Sequence, residues 1–408
     1  MTARAGAVRQ VLAERNFRTY IVGLSLSNVG TWLQNIAAGL LVYGLTESTL
    51  LVGVVNFAQF AGTLVLAPWS GAAADRFDRR RLLVVTQSAA ATVGATLAIA
   101  TWLGWVSVPI VIGASLVLGF AIAFATPAMM SLVPQLVDRE HLDTAVALNS
   151  ATFNVARAVG PVIGAALVDT VGFAAAFGLN AASFGCFAVV LITIHAREND
   201  RVLGARPKLS ESIRLVAASP RLRALLTAIM AVSVTTDPTI TLTPEFVRDV
   251  FVARDLYVGL LMGSFGVGAT FTALVLSGWL QRQRRVLAIA MTVQGIGVVM
   301  VGVAPTVEVA LVGFAISGGG FMAALTRCTA RLYAEVPDQQ RGRIMALWSL
   351  AFLGSRPIAA LVDGIVAEVA GERVAALVLA APVLVTGVWV ARRMPPYAPA
   401  AGDVPYGA

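Results

Sequence analysis

The sequence predicts an all-α integral membrane protein of twelve spanning helices, arranged as two pseudo-symmetric six-helix bundles. Three observations carry that prediction. Apolar residues run in blocks longer than soluble helices need. The charges gather between the blocks. Residues of the second half repeat those of the first, in the same order.

The chain of 408 residues is 58% hydrophobic and only 13% charged, where a soluble domain carries about a quarter charged residues. Its mean hydropathy is +0.80. No Asp, Glu, Lys or Arg occurs from Thr19 to Thr46, from Ser48 to Ala74, between Arg81 and Asp138, or from Leu256 to Gln281. A span needs about 20 apolar residues, each adding ~1.5 Å against ~30 Å of hydrocarbon. The blocks therefore hold one or two spans each. Lipid admits only helices or closed barrels, because backbone polar groups must be satisfied internally. The ten-residue alternation of barrel strands is missing, so the spans are helices.

The first six are expected near 17–44, 49–70, 82–104, 107–133, 144–168 and 173–195. The second six are expected near 223–247, 254–280, 286–304, 308–333, 343–366 and 373–392. The basic N-terminus leads into an apolar run too long for a signal peptide, so it reads as a retained first span. The organisation is then a bundle over 1–195, a polar linker over 196–222, a second bundle over 223–393, and a tail over 394–408. Within the linker, Leu209, Ile213, Leu215 and Val216 fall at helical spacing behind Ser210, which suggests a short interfacial helix.

Orientation follows from the basic residues. Of 30 Lys and Arg, three (Arg248, Arg254, Arg373) fall on one side and three (Arg157, Arg327, Arg356) within helices, leaving 24 on the other side. The positive-inside rule places that richer side, with both termini and the linker, in the cytoplasm, and the protein in the plasma membrane. It also explains most of the net charge of +8 without a nucleic-acid partner. The bilayer is the expected partner instead.

The halves match at about half the chain length. Val52-Gly53 corresponds to Val258-Gly259, and Ser70-Gly71 to Ser277-Gly278. In the fifth and eleventh helices, Ala147-Leu148, Ser150, Phe153 and Arg157 match Ala346-Leu347, Ser349, Phe352 and Arg356 at one offset of 199. Membrane transporters are commonly built from such repeats, with a substrate site between them.

The loop after the second helix reads GAAADRFDRRR, residues 71–81. A solvated basic loop explains its arginines but not the spacing of Gly71, Asp75 and Arg76. An Asp there can accept from helix N-terminal amides and pair with an arginine. Here the sequence resembles the major facilitator superfamily, whose signature at this loop is occupied by Gly71, Asp75, Arg76, Arg79 and Arg80, with Asp78 where glycine is usual. Residues 16–34, 148–164 and 337–354 are similar to the branch that holds the enterobactin exporter and the macrolide-efflux proteins. The resemblance implies the major facilitator fold and alternating access to a central site. It also implies that Asp75 caps the start of the eleventh helix near Arg341 to Ile344.

Gly160, Pro161 and Gly164 in the fifth helix, with Gly259 and Gly263 in the eighth, form small-residue faces. They fit a kink with close helix packing. The resemblance adds that these two helices meet between the halves.

A charge in mid-bilayer is costly and is a functional hypothesis by default. Asp237, Arg157 and Arg356 all fall about 20 Å into their helices at ~1.5 Å per residue. Asp237 and Arg356 are the natural pair. Two readings stand: a buried salt bridge that fixes packing, or a substrate or proton site. Asp237 is the proton candidate, since a carboxyl can exchange a proton and an arginine does not. Two arginines against one acid favour anionic or phenolate-like substrates. Asn28, Trp32, Gln34 and Asn154 are candidates to line the path, while Asp363 reads as lying near the outer end of the eleventh helix.

The expected function is secondary active transport, with protons as the coupling ion and export of small amphiphilic molecules as the leading direction. Uptake and a non-transporting receptor or scaffold are the alternatives. The expected working unit is a monomer. No phosphate-binding Gly-x-x-x-x-Gly-Lys-Ser/Thr loop occurs, nor a His/Cys cluster of metal spacing. The sequence therefore predicts no enzyme, no metal and no cofactor.

Overall fold

In the computed structural model the described residues are 2–195, 214, 216–276, 285–336 and 341–393, and they form helices without a strand. Fourteen of these helices position the site. They are α1 (Thr2–Ala13), α2 (Arg15–Thr46), α3 (Thr49–Arg76), α4 (Arg79–Trp102), α5 (Val108–Leu136), α6 (Leu142–Thr170) and α7 (Phe173–Thr193). They continue as α8 (Pro220–Val234), α9 (Leu256–Phe271), α10 (Val286–Gly302), α11 (Val307–Glu335), α12 (Arg341–Leu353), α13 (Arg356–Ala370) and α14 (Glu372–Arg393).

Ten helical stretches among the described residues are long and apolar enough to cross a membrane, against twelve expected from sequence. The other two expected stretches are α2 and α10. α2 has 32 residues but is diluted by Ser25, Ser27, Asn28, Thr31, Gln34 and Asn35. α10 has 17 residues, about 25 Å at 1.5 Å each, which is shorter than the ~30 Å hydrocarbon core. The N-terminal α1 was not expected as a separate helix. The expected linker helix, near 209–216, falls almost entirely outside the described residues.

The ends of these helices have local causes. Ser48 and Ser219 accept from Leu51 N and Leu222 N, each at 3.3 Å, and so cap α3 and α8. Asp78 accepts from Arg81 N at 2.7 Å and caps α4, so the residue that departs from the superfamily signature is a working N-cap. The α6–α7 and α13–α14 turns each pass through a glycine of positive φ, Gly172 at 99° and Gly371 at 86°. That region is open to glycine and strained for other residues. These two glycines are also 199 residues apart, which extends the repeat to the turns.

Two expected spans are broken. α8 stops at Val234, and the chain continues through Asp237 into short pieces, Pro238–Thr241, Thr243–Glu245 and a π turn Phe246–Val250. α12 stops at Leu353 and α13 restarts at Arg356. Both breaks come at a proline, which lacks an N–H and clashes with the carbonyl four residues back. Four residues before Pro238 is Val234, and four before Pro357 is Leu353. The freed backbone is not left bare. Ser233 donates to the Phe352 carbonyl, which joins one break to the other. Thr235 donates to the Leu379 carbonyl at 2.7 Å.

α2 packs on α6 and α7, α3 on α5, and α4 on both α5 and α7. Further along the chain α11 packs on α9 and α10, and α14 packs on α10. The two most extensive contacts between the early helices and the late ones are α6 along α9 and α13 along α3.

Candidate functional site

Arg157 projects from the middle of α6 and is 7% exposed. Its guanidinium lies 4.5 Å from the Phe265 ring centre, 4.7 Å from Phe321 and 5.7 Å from Trp32. Aromatic faces attract a cation through their quadrupole, most strongly away from water. Trp32 is held in turn by Phe153, one turn before Arg157, at 6.1 Å between rings. A small cavity opens among Trp32, Arg157, Thr239, Ile240, Met262 and Phe265. It has about 10 Å³ of room for the centre of a water molecule, about the least that holds one water. The cavity thus lies between the early and late helices.

Arg356 opens α13 beside the break and is 6% exposed. Its guanidinium sits 5.4 Å from the Phe60 ring and 5.1 Å from Phe352. The charges of Arg157 and Arg356 act on each other, as do those of Arg356 and Asp237. The expected Asp237–Arg356 pair needs correcting, however. Among the described residues the ion pairs are elsewhere, and Asp237 and Arg356 are not within ion-pair distance. Asp237 instead accepts from Thr241 at 2.6 Å, and Thr241 accepts from Asn56 Nδ2 of α3 at 3.1 Å. The break explains this. The turn at 235–237 aims the Asp237 carboxyl along its own chain, at the first turn of the next helical piece.

The other expected path residues divide. Trp32 lines the cavity. Gln34 is buried and accepts from Asn180 of α7. Asn28 donates to Thr152 of α6 at 3.4 Å, and Asn154 donates back to the Ser150 carbonyl at 3.0 Å. These three satisfy helix contacts instead of facing the cavity. Sequence reading missed Phe265, Phe321, Phe60 and Phe352 as partners of the arginines. Only Phe352 carried a signal, as the repeat partner of Phe153.

The glycines also divide. A methyl added at Gly160 would meet Trp32 Cβ at 2.7 Å, and one at Gly164 would meet Leu33 Cα at 2.9 Å. Both therefore seat α6 on α2. Gly259 lies against the Pro161 carbonyl, Gly263 against Val162 and Gly266 against Ala158, so the α9 glycines seat α9 on α6. The matching contact on the other side is Gly53 against the Ala360 carbonyl. Gly53 and Gly259 are repeat partners, and Ala360 is Pro161 moved by 199.

In the signature loop, Arg80 donates to the Ile194 and Ile192 carbonyls at 2.7 and 3.0 Å, and Arg79 to Ser131 O at 3.4 Å. They tie the start of α4 to the ends of α7 and α5. Arg76 is exposed. The side chains of Asp75, Arg341 and Arg343 are outside those described, as is the packing at Gly71, so the expected Asp75 cap lies outside what is described.

At the end of the helices away from the chain termini, hydroxyls of the early helices meet acids of the late ones. Tyr43 donates to Asp249 and Thr49 to Glu245. Ser48 donates to Glu368 at 3.0 Å. Arg254 reaches Asp169 at 2.5 Å. Among the described residues no group of three or more His, Cys, Asp or Glu is placed to hold a metal ion.

This architecture is that of known transporters. A bacterial homologue of the human lysosomal transporter Spinster, inward-facing and unoccupied, superposes with a TM-score of 0.76 at 13% identity, over 95% of this chain and 99% of that one. At that identity the likeness establishes the fold alone. The staphyloferrin A transporter of Staphylococcus aureus is 24% identical over 84% of this chain and 87% of its own. The enterobactin exporter EntS of Shigella boydii is 24% identical over 82% of this chain and 80% of its own. The family described as transmembrane secretion effector matches residues 10–402. The chain therefore belongs to the transmembrane secretion effector family of the major facilitator superfamily, a family of multi-span membrane transporters.

Proposed function

We propose that this chain is a proton-coupled exporter of small anionic amphiphiles in the enterobactin-exporter and macrolide-efflux branch. It works as a monomer in the plasma membrane with both termini cytoplasmic. On this reading α2 and α10 also span, completing twelve helices in two six-helix bundles over 1–195 and 223–393, joined by the linker 196–222.

The observation that carries the reading is the pair of buried arginines. Arg157 and Arg356 lie among aromatic rings, near a single central acid that neither meets as an ion pair. Buried charges are ordinarily paired or coordinated. An anionic solute with an apolar or aromatic body would supply the missing partner, and the rings would pack against its body. That one similar protein is named a staphyloferrin A transporter and another an enterobactin exporter supports transport of a small molecule, and the second name supports export. The broken spans add further support. Discontinuous helices at mid-membrane are the usual frame of transporter sites.

Alternating access would then use the two seams, α6 on α9 and α13 on α3. The hydroxyl–acid contacts from Tyr43, Ser48 and Thr49 would close the outer end. The test compares metabolites inside and outside cells lacking or overproducing the chain. Export requires that deletion raises one anionic amphiphile inside the cell and lowers it outside. Depletion inside on deletion would mean uptake and would refute the direction; no difference would refute transport of this class.

A further inference from the structure

Between the central Asp237 and the acids at the outer end lies one more carboxyl, Asp363. It is fully buried, and neither carboxylate oxygen has a hydrogen-bond partner. Four other acids nearby each have one: Thr241 serves Asp237, Thr49 serves Glu245, Tyr43 serves Asp249 and Ser48 serves Glu368. Asp363 also makes no ion pair among the described residues.

Its surroundings supply no cation. α3, which packs along α13, has no charged residue between Thr49 and Ala74. On the broken span the groups whose charges reach it are Asp237 and Glu245, both acidic. On its own helix, Arg356 is seven residues inward, about 10 Å at 1.5 Å per residue, and Glu368 is five residues outward. α14 carries Glu372 and Arg373 in its first turn and Arg392 and Arg393 in its last, at the far end of the helix, and Arg373 is engaged with the Gly302 carbonyl at 3.1 Å. α8 and α12, which touch α13 more lightly, carry their charges at their other ends, at Arg221, Arg223, Arg341 and Arg343.

An ionised carboxylate without donor or counter-ion is heavily penalised in such a place, and the neutral acid is far less so. The repeat marks the position as well. Asp363 is Gly164 moved by 199, so the second half carries a carboxyl where the first half carries a packing glycine.

We propose that Asp363 holds the coupling proton, as a neutral carboxylic acid, while the outer end is closed. The inference rests on the proton-coupled reading above and assigns its proton to a residue. When the Tyr43, Ser48 and Thr49 contacts part, Asp363 opens to the outer water beside Glu245. One carboxylate oxygen takes a proton from hydronium there and forms an O–H bond. Closure seals the proton in. Opening of the opposite end releases it inward past Asp237, and one proton has moved with no redox change.

The test is infrared spectroscopy of the purified full chain in lipid, reading the carbonyl stretch of protonated carboxylic acids at neutral pH. Asp363→Asn is expected to remove one protonated-acid band, and Asp237→Asn to keep it. An unchanged spectrum in Asp363→Asn would overturn the inference. Loss of the band in Asp237→Asn instead would overturn it while leaving proton coupling standing. If Asp363→Asn does not fold, Asp237→Asn protein grown on ¹³C-aspartate must still show an isotope-shifted protonated-acid band, and its absence overturns the assignment. A separate arm measures wild-type vesicles. Equal rates of metabolite movement with and without a pH gradient would overturn the coupling reading, whatever the infrared result.

Discussion

The α6 helix and the α12–α13 pair begin alike and end differently. Both carry the Ala-Leu, Ser, Phe and Arg pattern at an offset of 199, and both lie along a glycine-bearing helix of the other half. Yet α6 runs unbroken from Leu142 to Thr170, while its counterpart stops at Leu353 and restarts at Arg356. The difference is where proline falls. Pro161 comes one turn after Arg157 and is absorbed as a proline within the helix. Pro357 directly follows Arg356 and starts a new helix. Arg157 therefore projects from a continuous rod into an aromatic cage, whereas Arg356 sits on a break beside Asp237. A shared pattern has been turned to two purposes by the placement of one residue type.

The largest expected effect separates the two arginines. A hydrogen bond to a charged group contributes about 1.5–3 kcal/mol, so losing it costs about ten- to hundredfold in affinity at ~1.4 kcal/mol per tenfold. Arg157→Gln should lower metabolite export by about that factor. Arg157→Lys should recover little of it, because a compact ammonium loses the planar stacking. Arg356→Gln should cost less, since Asp237 keeps its Thr241 donor. Export rates in everted vesicles read all three, and equal losses in Arg157→Gln and Arg356→Gln would erase the distinction.

The next effect concerns the seams. Gly266→Leu puts bulk onto Ala158, where α9 would move against α6, and should stall the cycle. Gly164→Leu puts it onto Leu33 within the first half, and should mainly destabilise. Overpacking of this kind costs about 1–3 kcal/mol. Thermal unfolding should show a loss in both, with transport abolished only in Gly266→Leu. Full transport by a well-expressed Gly266→Leu would mean that this seam stays fixed.

A smaller effect tests proline itself. Pro357→Ala should let α12 and α13 join, raising amide-exchange protection around Ser355 and Arg356. Pro161→Ala should change protection little, because its helix is already continuous. The smallest effect is Arg254→Ala. Arg254 is 72% exposed where it meets Asp169, and such pairs contribute about 0–1 kcal/mol. A large loss of thermal stability would show that this contact matters more to closure than its exposure suggests.

Much of this was legible in the sequence, because apolar block length and proline–glycine punctuation are local signals. Most helix ends fell within a few residues of those expected. The breaks were missed because length alone makes 223–247 and 343–366 look continuous. A charge directly followed by proline, in Asp237-Pro238 and again in Arg356-Pro357, was the available warning. The arginines and Asp237 were visible as charges in apolar blocks, but their partners depend on which helix faces meet. That is why Gln34, Asn28 and Asn154 were expected on the path and instead bind neighbouring helices or their own. Asp363 was assigned to the outer end by counting residues. Its spacing of seven from Arg356 puts it on the same helical face, which marks it as inward-pointing.

The central claim is that the caged arginine binds the exported anion and that protons drive its exit. The most direct measurement takes the metabolite that accumulates on deletion and follows its movement in everted vesicles carrying wild type or Arg157→Gln, with and without an imposed pH gradient. The account predicts gradient-dependent movement in wild type and a loss of at least tenfold in Arg157→Gln. Movement at the wild-type rate in Arg157→Gln, or without the gradient, would contradict it.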